Sequence, residues 1–236
     1  MTNSIQFRDT DSNGKPVHEY EVAGIKTPSV TYVLDKRGFC DYQSCPEDYM
    51  EAARERGQIG HEVTHWFDEK YPDLTSAHNV LGDNGKLSDV ATYLADQFEK
   101  VWLDEPLHVW TKNQLEAWIV FRMDLGFTPL LIEKPMAWKI NGMMVCGTLD
   151  RFGMSKLGPM VIDLKFTSKI ERSVKYQLAA YAANPELHVR GKRPLRYAAH
   201  FKDGKVIPVP FTRTKDEQIF SAALAITHDL WNSGGK

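Results

Sequence analysis

The sequence predicts a single-domain α/β protein with a central mixed β-sheet flanked by helices. Three observations carry this. Helical hydrophobic spacing gives way to a period of two near residue 130, and Asn141-Gly142 sits between two alternating runs as the preferred type I′ hairpin turn. Beyond it the elements follow in the order strand, helix, two strands, helix. The chain has 236 residues, 42% hydrophobic and 25% charged, which suits one domain able to bury its own core and excludes disordered, collagen-like and coiled-coil classes.

From the N-terminus, His18–Val22 and Ser29–Leu34 read as short extended runs broken by Gly24 and Pro28, forming an edge hairpin. Ser44-Cys45-Pro46-Glu47 is a capping box with proline in the first turn, so a helix is expected there. Gly57 and Gly60 are expected to interrupt it before a second amphipathic piece, Ile59 to Glu69. Leu87, Val90, Ala91, Leu94, Phe98 and Val101 recur at helical spacing, with a stop near Pro106, and another helix is expected over Asn113–Leu125 before Gly126. Together these make a helical insertion around 86–126. Strands are expected over Leu130–Ile140, Met143–Phe152 and Met160–Phe166. Ser168-x-x-Glu171 then opens a helix ending at Asn184-Pro185, Asp203-Gly204 turns a last hairpin, and Thr214-x-x-Glu217 caps a terminal helix.

Composition narrows the function. The net charge of −2 argues against coating nucleic acid by bulk charge but permits a local basic cleft. Cys40, Cys45 and Cys146 form no C-x-x-C, so neither a disulfide framework nor a four-cysteine metal or iron–sulfur site is expected. The polar N-terminus and the lack of a long apolar stretch lead to the expectation of a cytoplasmic protein.

The residues that suggest chemistry are Asp150 in GTLD and Asp163 with Lys165 in IDLK. Period-two geometry puts Asp163 and Lys165 on one face of their strand. The stretch Val161–Leu164 is apolar except for that one carboxylate, which marks a buried strand whose acid has a purpose. Two carboxylates beside a scissile phosphate hold a hard divalent cation, and a nearby ammonium orients water or stabilises the transition state. An acid two residues before a lysine is worthless alone, since Asp68/Lys70 and Asp203/Lys205 show the same spacing. The hairpin, the GTLD strand and the following helix supply the context. That helix adds Gln177 and Tyr181 at i, i+4.

GTLD, IDLK and QLAAY, with RGQIGH upstream, together resemble the PD-(D/E)XK phosphodiesterase superfamily, and within it the RecB-like nucleases. The resemblance runs from about Gly57 to Tyr181. It implies a restriction-endonuclease-like αβββαβ core and a DNA nuclease using Mg²⁺ or Mn²⁺. Carried over, His61, Asp150 and Asp163 are metal ligands with the Leu164 carbonyl as a fourth, and the imidazole tilts preference toward Mn²⁺. Lys165 becomes the catalytic lysine, while Gln177 and Tyr181 steady the active site and the DNA strand. Glu133 sits where many relatives carry an acid on the first core strand, supporting the metal through water or simply facing solvent. By analogy alone, the resemblance implies an exonuclease-like processing enzyme of recombination or repair, of phage type, with DNA and a separate recombination protein as partners.

Two rival readings stand beside it. His61-Glu62-Val63-Thr64-His65 is a literal H-E-x-x-H, the string of a zinc metallopeptidase, although Asp68 and Tyr71 break its extended form and no third ligand is evident. The other rival is a catalytically silent nucleic-acid-binding protein on the same fold. Lys169, Arg172, Lys175, Lys192 and Arg193 are candidate phosphate contacts in either nucleic-acid reading.

Overall fold

The computed structural model describes residues 5–10, 16–40, 47–73 and 105–232. Three strands, β1 (Ile5–Thr10), β2 (Pro16–Val22) and β3 (Ile25–Thr27), form a small antiparallel sheet. Helices α1 (Val30–Lys36), α2 (Glu47–Lys70) and α3 (Glu105–Leu125) follow. Strands β4 (Thr128–Ile140), β5 (Met143–Ser155) and β6 (Gly158–Lys165) then form an antiparallel meander. Helix α4 (Ser173–Ala182) crosses over to β7 (Leu195–Lys202), which pairs parallel to β6. Strand β8 (Lys205–Pro210) closes the sheet, and α5 (Lys215–Asn232) ends the described chain. The main sheet is therefore mixed, in the order β4-β5-β6-β7-β8.

Both faces of this sheet are covered. One core joins Val30, Val33 and Leu34 of α1 to Leu178 and Tyr181 of α4, Phe220 and Leu224 of α5, and Trp138, Val145 and Val161 of the sheet. The other joins Val63 and Phe67 of α2 to Leu115 and Trp118 of α3 over Met160, Ile162 and Leu164. Strand β6 thus serves both cores with alternate side chains, as a central strand must. The β4–β5 hairpin turns where expected: Asn141 (φ 50°) and Gly142 (φ 83°) supply the two positive φ values of a type I′ turn.

Several boundaries differ from the sequence expectations. Ser29–Leu34 is not a strand: the Ser29 hydroxyl accepts the Tyr32 N–H at 3.0 Å and caps α1. Val30, Val33 and Leu34 then fall on one buried helical face although Val30, Thr31 and Val33 are β-branched. Helix α2 runs unbroken through Gly57 and Gly60. A mid-helix glycine costs roughly 1 kcal/mol relative to alanine, but a Cβ on Gly60 would lie 2.5 Å from the Phe166 ring, so its absence admits close packing against the β6 end. Helix α3 starts at Glu105, eight residues before the expected Asn113, with Pro106 in its first turn. Helix α4 starts at Ser173, after Glu171 and not at Ser168; the Ser173 hydroxyl donates to Glu171 Oε2 at 3.2 Å. The Ser44 capping box and the pattern from Leu87 to Val101 lie outside the described residues.

Candidate metal centre

The site lies where two strands of the sheet part. Pairing between β5 and β6 runs from Ser155↔Gly158 to Arg151↔Ile162 and stops there. The next two residues in that register are Asp150 and Asp163. In place of a ladder bond, the Asp150 carboxylate crosses the gap and accepts the Leu164 N–H at 2.7 Å. Asp163 and Lys165 follow the alternation of Val161, opposite to Ile162 and Leu164, and the Lys165 ammonium lies 2.7 Å from Asp163 Oδ2. That ion pair is close but poorly aligned: Oδ2 is buried and makes no hydrogen bond of proper geometry. A buried carboxylate oxygen left in that state has capacity for a further cation.

Helix α2 brings an imidazole to the gap. His61 Nδ1 is 3.1 Å from Glu133 Oε1, and His61 Nε2 is 4.0 Å from Asp150 Oδ2. One ligand atom from each of His61, Glu133 and Asp150 lies within 4.8 Å of the others. Glu133 stands opposite Asp150 in the β4–β5 register and has φ +43°, a left-handed conformation that residues bearing a Cβ rarely adopt. Asp163 is not part of this trio; it joins the site through Lys165 across the gap.

The electrostatics are those of clustered carboxylates facing an imidazole and an ammonium. Burial pushes the Asp150 carboxyl up to about 6; His61 opposes that, while Asp163 and Glu133 add to it. For His61, burial favours the neutral ring, but Asp150 and Glu133 outweigh it and raise the pKa. Burial acts to raise Glu133, yet His61 and Arg151 hold it below the usual carboxylate value. Lys165 is depressed by burial but raised on balance by Asp163 and Asp150, so it is an ammonium at neutral pH, a group that can donate a proton and not accept one.

A buried ionic group braces this arrangement. Asp68 on α2 accepts Trp118 Nε1 at 2.9 Å and Arg122 Nη1 at 2.7 Å on one oxygen, and Arg151 Nε at 2.6 Å on the other. All four side chains are buried. On the other face, the Tyr181 hydroxyl donates to the Thr148 carbonyl at 2.7 Å, two residues before Asp150. A Cβ on Gly147 would sit 2.6 Å from that hydroxyl, which gives the glycine of GTLD its reason. Tyr20 of β2 meets the Thr148 hydroxyl at 2.8 Å, tying the small sheet to the same strand.

The expected residues therefore fall into groups. His61 and Asp150 meet; Asp163 and Lys165 pair beside them; Leu164 touches Asp150 through its N–H. Tyr181 is 3% exposed, so it steadies the Asp150 strand from inside the core and has almost no surface for a DNA strand. Gln177 is half-buried on the same helix. His65 pairs with Glu69 at 3.1 Å, and Glu62 accepts from Gln58 at 3.1 Å. Among the described residues, neither enters the ligand trio. Arg193 pairs with Glu217, and Arg172 lies over the Phe39 ring. Sequence reasoning missed Arg151, Asp68 and Thr64. The available signal was His61, Thr64 and Asp68 at i, i+3 and i+7 on one helix stripe, with an arginine directly after Asp150 in a largely apolar strand.

Among the described residues, no helix is long and apolar enough to cross a membrane. Neither the family models nor the curated proteins compared with the chain yield a match.

Proposed function

We propose that the protein is a divalent-metal-dependent deoxyribonuclease of the PD-(D/E)XK, RecB-like kind, hydrolysing phosphodiester bonds. The observation that carries this is the convergence, at the parting of β5 and β6, of His61, Asp150 and Glu133 with the Asp163–Lys165 pair. The element order agrees with a restriction-endonuclease-like core: a helix, an antiparallel meander, a crossover helix and a parallel strand. The donors suit Mg²⁺ or Mn²⁺, since carboxylates favour hard cations and one imidazole favours Mn²⁺. His61, Asp150 and Glu133 would hold the ion, with Asp163 and the Leu164 carbonyl at its border.

When bound, such an ion neutralises charge on the phosphate and lowers the pKa of a bound water. The side chains do the rest. His61 gives Nδ1–H to Glu133, which leaves the Nε2 lone pair for the ion and fixes the tautomer. Lys165, held as an ammonium, would donate to a phosphate oxygen as negative charge builds there. Asp150 is fixed by the Leu164 N–H, so its carboxylate needs little reorganisation. Tyr181 and Gly147 keep that strand in place.

The zinc-peptidase alternative requires His65 as a second ligand beside His61, but His65 pairs instead with Glu69. A processing role in recombination or repair, acting on DNA with a separate recombination protein, in a cytoplasmic setting and of phage type, belongs to this same proposal. Incubation with linear, nicked and closed-circular DNA under Mg²⁺ or Mn²⁺ tests it. Cleavage abolished by chelator and restored by added metal is expected. Cleavage of closed circles would indicate internal cutting, and attack on linear DNA alone would indicate action from ends.

A further inference from the structure

Arg151 follows Asp150 directly in β5 and is fully buried. Its guanidinium is shared among three elements. Nε donates to Asp68 Oδ2 on α2 at 2.6 Å, and Nη2 to Thr64 Oγ1 on the same helix at 3.1 Å. Nη1 donates to Glu133 Oε1 on β4 at 2.8 Å and to the Asp150 carbonyl on β5 at 2.7 Å. These are the elements that carry His61, Glu133 and Asp150. We propose that Arg151 is a positioning residue of the metal centre, fixing the Glu133 carboxylate against His61 and thereby setting the spacing of the three ligands, with Asp68 as its anchor. The inference rests on reading His61, Glu133 and Asp150 as ligands.

Three features set this apart from an ion pair that merely holds the fold. Asp68 is fully buried and Glu133 is 25% exposed, so Asp68 already supplies the carboxylate that compensates the burial of Arg151. Its φ of +43° is a conformation that persists only where the surroundings hold it, and Arg151 and His61 are what hold its side chain. Both of those contacts land on Oε1, which leaves Oε2 available to a cation. The anchor, in turn, has no freedom to turn away, because Arg122 and Trp118 occupy its other oxygen. A planar fork of fixed geometry can meet Asp68, Thr64, Glu133 and the Asp150 carbonyl together; an ammonium on a flexible stem cannot.

The test is calorimetric titration of the folded protein with Mn²⁺ alone, beside urea unfolding of each variant. Arg151→Lys keeps the charge and loses the fork, and is expected to bind Mn²⁺ about 10- to 100-fold more weakly, the usual effect of removing a partner that orients a ligand. Arg122→Lys alters only the other oxygen of Asp68, where Trp118 still donates, and leaves every contact of Arg151 in place. It is expected to lose stability and keep its Mn²⁺ affinity. Equal Mn²⁺ affinity in Arg151→Lys and wild type, or equal weakening in both lysine variants, overturns the proposal. If Arg151→Lys does not fold, Thr64→Val removes the Nη2 acceptor, together with the hydroxyl's own bonds to the Gly60 and His61 carbonyls of the same helix, and should weaken Mn²⁺ several-fold; unchanged affinity there overturns it as well. A wild-type protein that binds no Mn²⁺ overturns the ligand reading itself, a failure distinct from the other two.

Discussion

Replacing Asp150 by asparagine should stabilise the metal-free protein at neutral pH while removing its ability to bind metal. The reason is the distance between two protonation equilibria. In the folded chain the Asp150 carboxyl is pushed up to about 6 by burial, against an ordinary value of 3.8. A carboxyl whose pKa rises on folding stabilises the protein while protonated: the contribution is full below 3.8 and lost as the pH climbs through about 6. A difference of about two pH units corresponds to ~3 kcal/mol in all, of which ~1.4 kcal/mol is lost between about pH 5 and about pH 7.5. His61, also raised, acts in the same direction, whereas the depressed Glu133 matters only on the acid side. Asparagine keeps an oxygen for the Leu164 N–H, so the variant loses the charge and not the bond. Urea unfolding in chelator at the two pH values is the assay. Wild type should lose about 1–1.5 kcal/mol on going to the higher pH, Asp150→Asn much less, and the variant should be the more stable at the higher pH. Mn²⁺ at a hundred times its Kd should then add about 2.7 kcal/mol to wild type alone. An Asp150→Asn protein less stable than wild type at about pH 7.5 in chelator would refute the reasoning.

Asp68→Asn should cost about 3 kcal/mol or more of folding stability, because Arg122 and Arg151 would stay buried without their shared carboxylate; an unchanged urea midpoint contradicts this. His61→Ala should remove both DNA cleavage and Mn²⁺ binding, while His65→Ala and Glu62→Gln should alter either only modestly; stoichiometric zinc lost equally from both histidine variants would favour the peptidase instead. Tyr181→Phe removes a donor from the half-buried Thr148 carbonyl and should cost about 1 kcal/mol, whereas Gln177→Ala should leave stability alone and slow cleavage. Wild-type rates in both of those variants would mean that α4 only packs.

What was legible in the sequence was local. Asn141-Gly142 announces its own turn, alternation defines β4 and β5, the apolar run around Asp163 defines β6, and an acid two before a lysine in a strand puts both on one face, as the 2.7 Å Asp163–Lys165 contact shows. Where tertiary packing decides, the sequence misled. Val30 to Leu34 has strand-like residues but is capped by Ser29 and buried along a helical face. The Gly57 and Gly60 pair suggests a break, yet the Phe166 ring, more than a hundred residues later in the chain, takes the space beside Gly60. Asp68 looked like a departure from a zinc motif and is instead the anchor of two buried arginines, one of them 83 residues away. Glu133 was readable as an acid on a strand, but its left-handed backbone, which accompanies its place beside His61, leaves no mark in composition or period.

The central claim is that this metal centre cleaves DNA with Lys165 as its ammonium. The most direct measurement is the rate of DNA cleavage under Mg²⁺ or Mn²⁺ for wild type, Lys165→Ala and Asp163→Asn, with Mn²⁺ binding measured on the same preparations. Wild type should cleave only with metal. Lys165→Ala should keep Mn²⁺ and lose about 10²- to 10⁴-fold in rate, while Asp163→Asn should lose rate and weaken Mn²⁺. Folded wild-type protein that binds Mn²⁺ yet leaves every form of DNA intact, or a Lys165→Ala variant that cleaves at the wild-type rate, would contradict the account.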